Sequence, residues 1–145
     1  MESKTLSWLK VTTGFQFLTA AVHSVSLITS PQGKNEMEKQ LIDMMTNYRM
    51  DMGAGIHRSM DELVTALSSC FSLLYLLGAL INLYLIRVKA PADLTKGLLG
   101  IETLVFGITF VIVAFLTFLP PIILTGLVFA LLAICYFRLG KASRL

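Results

Sequence analysis

LLGIETLVFGITFVIVAFLTFLPPIILTGLVFALLAICYF, residues 98–137, holds one charged side chain, Glu102. About 20 consecutive apolar residues cross the hydrocarbon core of a bilayer as a helix. The stretch therefore reads as two membrane helices, 98–119 and 122–137, turning at Pro120-Pro121. The second is short, and it spans if residues 119–121 sit in the interface or if the bilayer thins locally. Working outward, residues 60–86 form another apolar run, with Asp61 and Glu62 confined to its first turn. Residues 8–28 form a further one, interrupted by Lys10, Gln16 and His23. The whole chain agrees: 145 residues, 55% hydrophobic and only 14% charged, against about 25% charged for an average soluble domain. A soluble globular enzyme, a disordered chain and a disulfide scaffold are excluded. The expected fold is all-α, a single four-span domain over residues 1–145, folded as an integral membrane antiparallel four-helix bundle.

Lysine and arginine counts set the orientation, since cytoplasmic loops carry the excess. Lys4, Lys10, Arg87, Lys89, Lys96, Arg138, Lys141 and Arg144 fall on one side, against Lys34, Lys39, Arg49 and Arg58 on the other. Both termini are thus expected in the cytoplasm. Trp8, Tyr84 and Tyr136 fall at the same interface, where amphipathic rings settle. The first run resembles a signal peptide in its leading lysines, but Gln16 interrupts it and no A-x-A site follows. It is read as an uncleaved helix. The net charge of +3 follows from this topology, so no nucleic-acid partner is implied.

Residues 30–59 are the long connection, expected outside. Pro31 and Gly33 break the first helix, and Asn35 with Glu38 has the spacing of a capping box. Met37, Leu41, Met44, Met45 and Tyr48 then recur at helical intervals. A short amphipathic helix over 35–50 is predicted, lying in the membrane interface or over the mouth of the bundle. Six of seven methionines lie between positions 37 and 60. Thioethers bind Cu(I), but only His57 is near to help, and methionine also makes adaptable packing surfaces. No metal and no cofactor is expected.

Two polar stripes run along the first two spans. Thr12, Gln16, Thr19, His23, Ser26 and Ser30 are spaced 4, 3, 4, 3, 4, and Arg58, Asp61, Thr65, Ser68, Ser72, Tyr75, Ala79 and Asn82 likewise alternate threes and fours. Each set lies on one helix face, and both faces should turn inward. Helix association alone explains the small and hydroxylated members; Gly126 and Ala130 carry the same small-xxx-small spacing. The ionisable members admit a functional role, because charge inside a membrane is expensive. Ser59 and Glu62 nevertheless form a second capping-box spacing, with Arg58 as the local ion partner. Glu102 lies too deep for capping, roughly 9 Å beyond Lys96 at 1.5 Å per residue. At that depth Gln16 and Asn82 are its expected partners, and the cluster is either structural or a proton-handling or ligand-binding site. His23 lies level with the start of the second span, where a carboxylate from Asp61 or Glu62 would make it an acid–base pair. Cys70 and Cys135 are at different depths, and no CxxC, GxSxG, HExxH or phosphate loop occurs. The sequence leans away from an enzyme.

The stretch LIDMMTNYRMDMGAGIHRSMDELVTALSSCFSLLYLLGALINL, residues 41–83, resembles a family of small uncharacterised bacterial four-span inner-membrane proteins, as does FLPPIILTGLVFALLAI near the end. The family's features are a Met/Tyr-containing outer loop, an Arg-Ser-Met segment and a polar second helix ending in Gly…Asn-Leu. This chain departs from it at Ala66-Leu67-Ser68-Ser69, where a Gly-Phe-Ser pattern is expected. The resemblance implies topology and location, and carries no catalytic residue. The layout is also similar to DoxX-like and sterol-isomerase-like membrane proteins, by analogy only.

Taken together, the residues describe a membrane protein binding a lipid, quinone or similar amphiphile between its first two helices. Gln16, His23, Arg58, Thr65, Ser68, Ser72, Tyr75, Asn82 and Glu102 would line that space, and any catalysis would use His23 with Asp61 or Glu62. The rivals are a proton-coupled small transporter centred on Glu102, working as a homo-oligomer, and a non-catalytic accessory subunit of a membrane complex. Orientation is testable directly. In a cysteine-free background, Gln40→Cys should react with an impermeant thiol reagent outside intact cells and Ala92→Cys should not; the reverse pattern overturns the topology.

Overall fold

The computed structural model describes residues 3–29 and 32–142. Among these the chain is all-α, 81% helical, with five helices. They are α1 (Ser3–Ser26), α2 (Glu36–Asn47), α3 (Met60–Arg87), α4 (Ala92–Leu116) and α5 (Leu119–Ala142). Two short strands, β1 (Arg49–Asp51) and β2 (His57–Ser59), pair as an antiparallel hairpin. By length and composition α3, α4 and the Leu119–Leu139 part of α5 can each cross a membrane. α1 has the length, 24 residues, but Lys4, Lys10, Gln16, His23 and four threonines make it more polar than these three. Two compact units divide the chain. One holds the described residues through Thr19 and from Tyr75 onward, and the other holds Ala20–Leu74.

In the first unit α4 and α5 form a tight helical hairpin. Its connection is Thr117 and Phe118, not the prolines, which enter the first turn of α5. Proline is tolerated there because the first N–H groups of a helix have no intrahelical partner to lose. α5 consequently starts earlier than residue 122 and runs past 137. α4 also begins before residue 98, with Pro91 at its cap and Asp93 inside the first turn, where an acid favours the helix dipole.

The two helices interlock through rings seated over glycines. A Cβ on Gly126 would fall 2.9 Å from the Phe110 ring, and one on Gly107 would fall 2.9 Å from the Phe129 ring. The two rings stack with centroids 6.1 Å apart and planes 13° from parallel. Gly126 is therefore a notch for one phenylalanine. Ala130, its supposed partner in a small-residue stripe, is exposed.

Many hydroxyls on the long helices bond to their own backbone. Thr12, Thr13 and Thr19 donate to the carbonyls of Trp8, Leu9 and Phe15, each four residues back. Thr95, Thr103 and Thr109 do the same in α4. Such back-bonding satisfies a buried hydroxyl without a neighbouring helix.

In the second unit Asn35 caps α2 as the spacing predicts: Asn35 Oδ1 accepts from the Glu38 N–H at 2.9 Å, and Glu38 Oε2 accepts from the Lys34 N–H at 2.6 Å. Met37, Leu41 and Met44 are exposed along the helix. Ser30 and Pro31, named above in the first stripe and as a breaker, lie outside the described residues. α2 stops at Asn47 and does not reach residue 50, because Arg49–Asp51 pairs with His57–Ser59. Gly53, Ala54 and Gly55 turn the hairpin with φ of +84°, +52° and +76°. Glycine enters that left-handed region freely, and Asp51 Oδ1 accepts the Gly53 N–H at 2.8 Å.

The glycine notches predict opposite outcomes for one kind of substitution. Gly107→Ala forces its methyl against Phe129 and should destabilise by about 1–3 kcal/mol through overpacking. Gly97→Ala, whose Cβ meets nothing within 4 Å, should stabilise by about 1 kcal/mol through helix propensity. Thermal unfolding in one detergent would compare the two, and equal effects would contradict the interlock.

Candidate functional site

Helical spacing carries Gln16 on α1, Asn82 on α3 and Glu102 on α4 to one buried point. Gln16 and Asn82 are fully buried and Glu102 is 8% exposed. Glu102 Oε2 accepts from Asn82 Nδ2 at 2.7 Å and from Gln16 Nε2 at 3.3 Å. Asn82 Nδ2 also donates to Gln16 Oε1 at 3.0 Å. These are the three side chains that the depth count brings together. Gly78, one turn before Asn82, makes room for them, since a Cβ there would lie 2.6 Å from Gln16 Nε2.

The cluster is incomplete. Among the described residues Glu102 Oε1 and Asn82 Oδ1 are buried without a hydrogen-bond partner. Buried oxygens are almost always paired in native proteins, so two acceptors left open beside each other's residues mark a place for a donor. Among the described residues Glu102 makes no ion pair. A carboxyl group held by neutral amides, with one oxygen engaged and the other open, can carry or release a proton at the open oxygen without disturbing the engaged one.

Polar pairs from the same unit flank this cluster. Tyr75 and Thr125 hydroxyls meet at 2.7 Å, with the Tyr75 ring 5.1 Å from that of Phe106. Thr12 Oγ1 meets Cys135 Sγ at 3.4 Å, and the Arg138 guanidinium stands 5.4 Å from the Trp8 ring centre. Thr125 and Cys135 escaped sequence reasoning. The signal was slight: Thr125 is the only threonine in α5.

At the second expected site no direct hydrogen bond is made among the described residues. Among the described residues the His23 imidazole makes no hydrogen bond to Asp61, Glu62 or Thr65; its Nε2 is buried and unpartnered, and its ring meets Phe71 edge-on at 5.3 Å. Glu62 is committed elsewhere. It accepts from the Ser59 N–H at 3.0 Å, while Ser59 Oγ accepts from the Glu62 N–H at 3.2 Å, completing the predicted capping box. Its ion partner is Arg49, at 3.3 Å, and not Arg58. The hairpin register sets Arg49 opposite Ser59, which brings its guanidinium to the cap, while Arg58 donates to the His57 carbonyl. Arg58, Asp61 and Thr65 are exposed and Ser68 is half-buried. Ser72, Tyr75, Ala79 and Asn82 are the buried part of the α3 stripe.

Glu102→Gln preserves an acceptor for both amide donors and should leave thermal stability in detergent nearly unchanged. Glu102→Leu strands the Gln16 amide and should cost about 1–3 kcal/mol. Gly78→Ala should resemble Leu, because its methyl occupies the position of the Gln16 amide. Equal stability for all three variants would mean that the cluster holds nothing together.

Comparison with protein-family models, with curated proteins and with solved structures finds no match to this chain.

Proposed function

We propose that this protein is an integral membrane protein of the proton-coupled small-transporter class, with Glu102 as the group that holds and exchanges the proton. One observation carries the reading: a buried carboxyl with two amide donors on Oε2 and, among the described residues, no paired cation and Oε1 open. An ionisable residue within an apolar helix is expensive and marks a functional site by default. The apolar character of α3, α4 and α5 supports membrane placement. In this reading the long helices cross a bacterial inner membrane, with both termini cytoplasmic. A four-span chain offers a small pathway, so copies work together. Gln16 and Asn82 keep the carboxyl in place while its proton comes and goes. The amphiphile site first expected beside His23 draws less support, since Glu62 is tied to Ser59 and Arg49 and Asp61 is exposed.

The test uses dicyclohexylcarbodiimide, an apolar reagent that modifies protonated carboxyl groups, on protein reconstituted in liposomes. Peptide mass spectrometry should locate the adduct on Glu102, with a yield that falls as pH rises. Proton entry driven by an imposed potential should be abolished by the reagent and in Glu102→Gln. An unmodified Glu102 at every pH, or undiminished proton entry in Glu102→Gln, would overturn the assignment in favour of an accessory subunit.

A further inference from the structure

A second feature lies on an exposed face of the α4–α5 hairpin, where Ile101, Leu104 and Phe137 are open. There an open groove of about 680 Å³ is cut between the two helices. Its floor is glycine. Gly97 and Gly100 are one turn apart on α4, and Tyr136 of α5 closes one side, 3.1 Å from where a Gly100 Cβ would be. A Cβ on Gly97 would meet nothing within 4 Å. At Gly107 and Gly126 phenylalanine rings fill the corresponding space; at Gly97 no side chain does.

The groove has two chemically distinct ends. At the start of α4, Asp93 and Lys96 line it. They sit three apart, a spacing that permits an ion pair, yet among the described residues no ion pair joins them and neither makes a side-chain hydrogen bond. Further along, Ile101, Leu104 and Phe137 line it, all more than half exposed. From Asp93 to Leu104 is eleven residues, roughly 16 Å at 1.5 Å per residue. An apolar trough of that length, ending in a cation and an anion that are not paired with each other, matches a molecule with an acyl chain and a head bearing both charges.

We infer that the α4–α5 groove is a binding site for a zwitterionic phospholipid with a primary ammonium head, phosphatidylethanolamine. Lys96 takes the phosphate, whose oxygens only accept hydrogen bonds. Asp93 takes the ammonium, whose N–H groups only donate. A trimethylated ammonium keeps the charge but has no N–H for Asp93, and a glycerol head has no cation at all. Ile101, Leu104 and Phe137 cover the upper part of one acyl chain, and the missing side chain at Gly97 is the space it passes through. The inference rests on the membrane placement proposed above, and not on the chemistry of Glu102.

Native mass spectrometry of the full chain in a mild detergent, with dioleoyl phosphatidylethanolamine, phosphatidylcholine or phosphatidylglycerol added, tests it. The ethanolamine lipid should bind best. Lys96→Gln should weaken it about fivefold, the change that corresponds to ~1 kcal/mol for one basic residue at a lipid surface. Asp93→Asn should erase the preference for ethanolamine over choline while leaving both bound. Gly97→Leu fills the groove and should abolish binding, and its unchanged or raised melting temperature would show that the fold persists. Should Gly97→Leu fail to fold, the Asp93→Asn result decides alone. Equal binding of all three lipids to the unaltered protein overturns the inference. So does a groove occupied by a second copy, seen as dimers that Gly97→Leu dissociates and that retain no lipid. Failure of the membrane placement is separate: the protein would then stay dispersed without detergent and bind none of the lipids.

Discussion

A single oxygen atom, Glu102 Oε2, accepts hydrogen bonds from Gln16 and Asn82. It joins α1, α3 and α4 at one point. Rings seated over glycines fix how α4 meets α5, and for α1, α3 and α4 the register is also held by polar contact at this one atom. Two amide donors on one acceptor hold it, because a slip of one residue separates them by about 1.5 Å or more. The neighbouring contacts conform to that register. Gly78 yields to Gln16, Phe106 meets Tyr75, and Tyr75 reaches Thr125 on α5.

That meeting was legible in the sequence because it depends on two simple quantities. Alternating threes and fours placed Gln16 and Asn82 on inward faces, and counting residues placed them at the depth of Glu102. The capping boxes at Asn35 and Ser59 were legible too, since the groups that form them lie three or four residues apart. The hairpin was not. Its strands are three residues each, too short for an alternating pattern, and Met45 to Met50 continue a helix-like run up to it. Arg49 rather than Arg58 reaches Glu62 for the same reason, since only the strand register decides which arginine faces the cap. His23 shows the limit of depth counting. Its ring meets Phe71, nine residues beyond Glu62 on α3, while Glu62 closes the start of that helix.

Glycine and aromatic residues work as a set along the α4–α5 hairpin. Gly107 takes Phe129, Gly126 takes Phe110, and Gly100 takes Tyr136. Each ring drops into a missing side chain, which brings the helix backbones close without a gap. Gly97 is the member without a ring, and the groove begins there. Closeness along most of the hairpin and a trough at one end come from the same residue type, with and without a partner.

The threonines that bond to their own helix carry a consequence for how α1 meets its surroundings. Hydropathy scales treat each hydroxyl as a group that must be stripped of water. Thr13 and Thr19 turn theirs onto carbonyls four residues back, so their outward faces are methyl groups. To whatever lies against it, α1 is greasier than its letters suggest, and its polarity is concentrated in Lys4, Lys10, Gln16 and His23. Replacing those threonines with valine would change the composition of the segment far more than its surface.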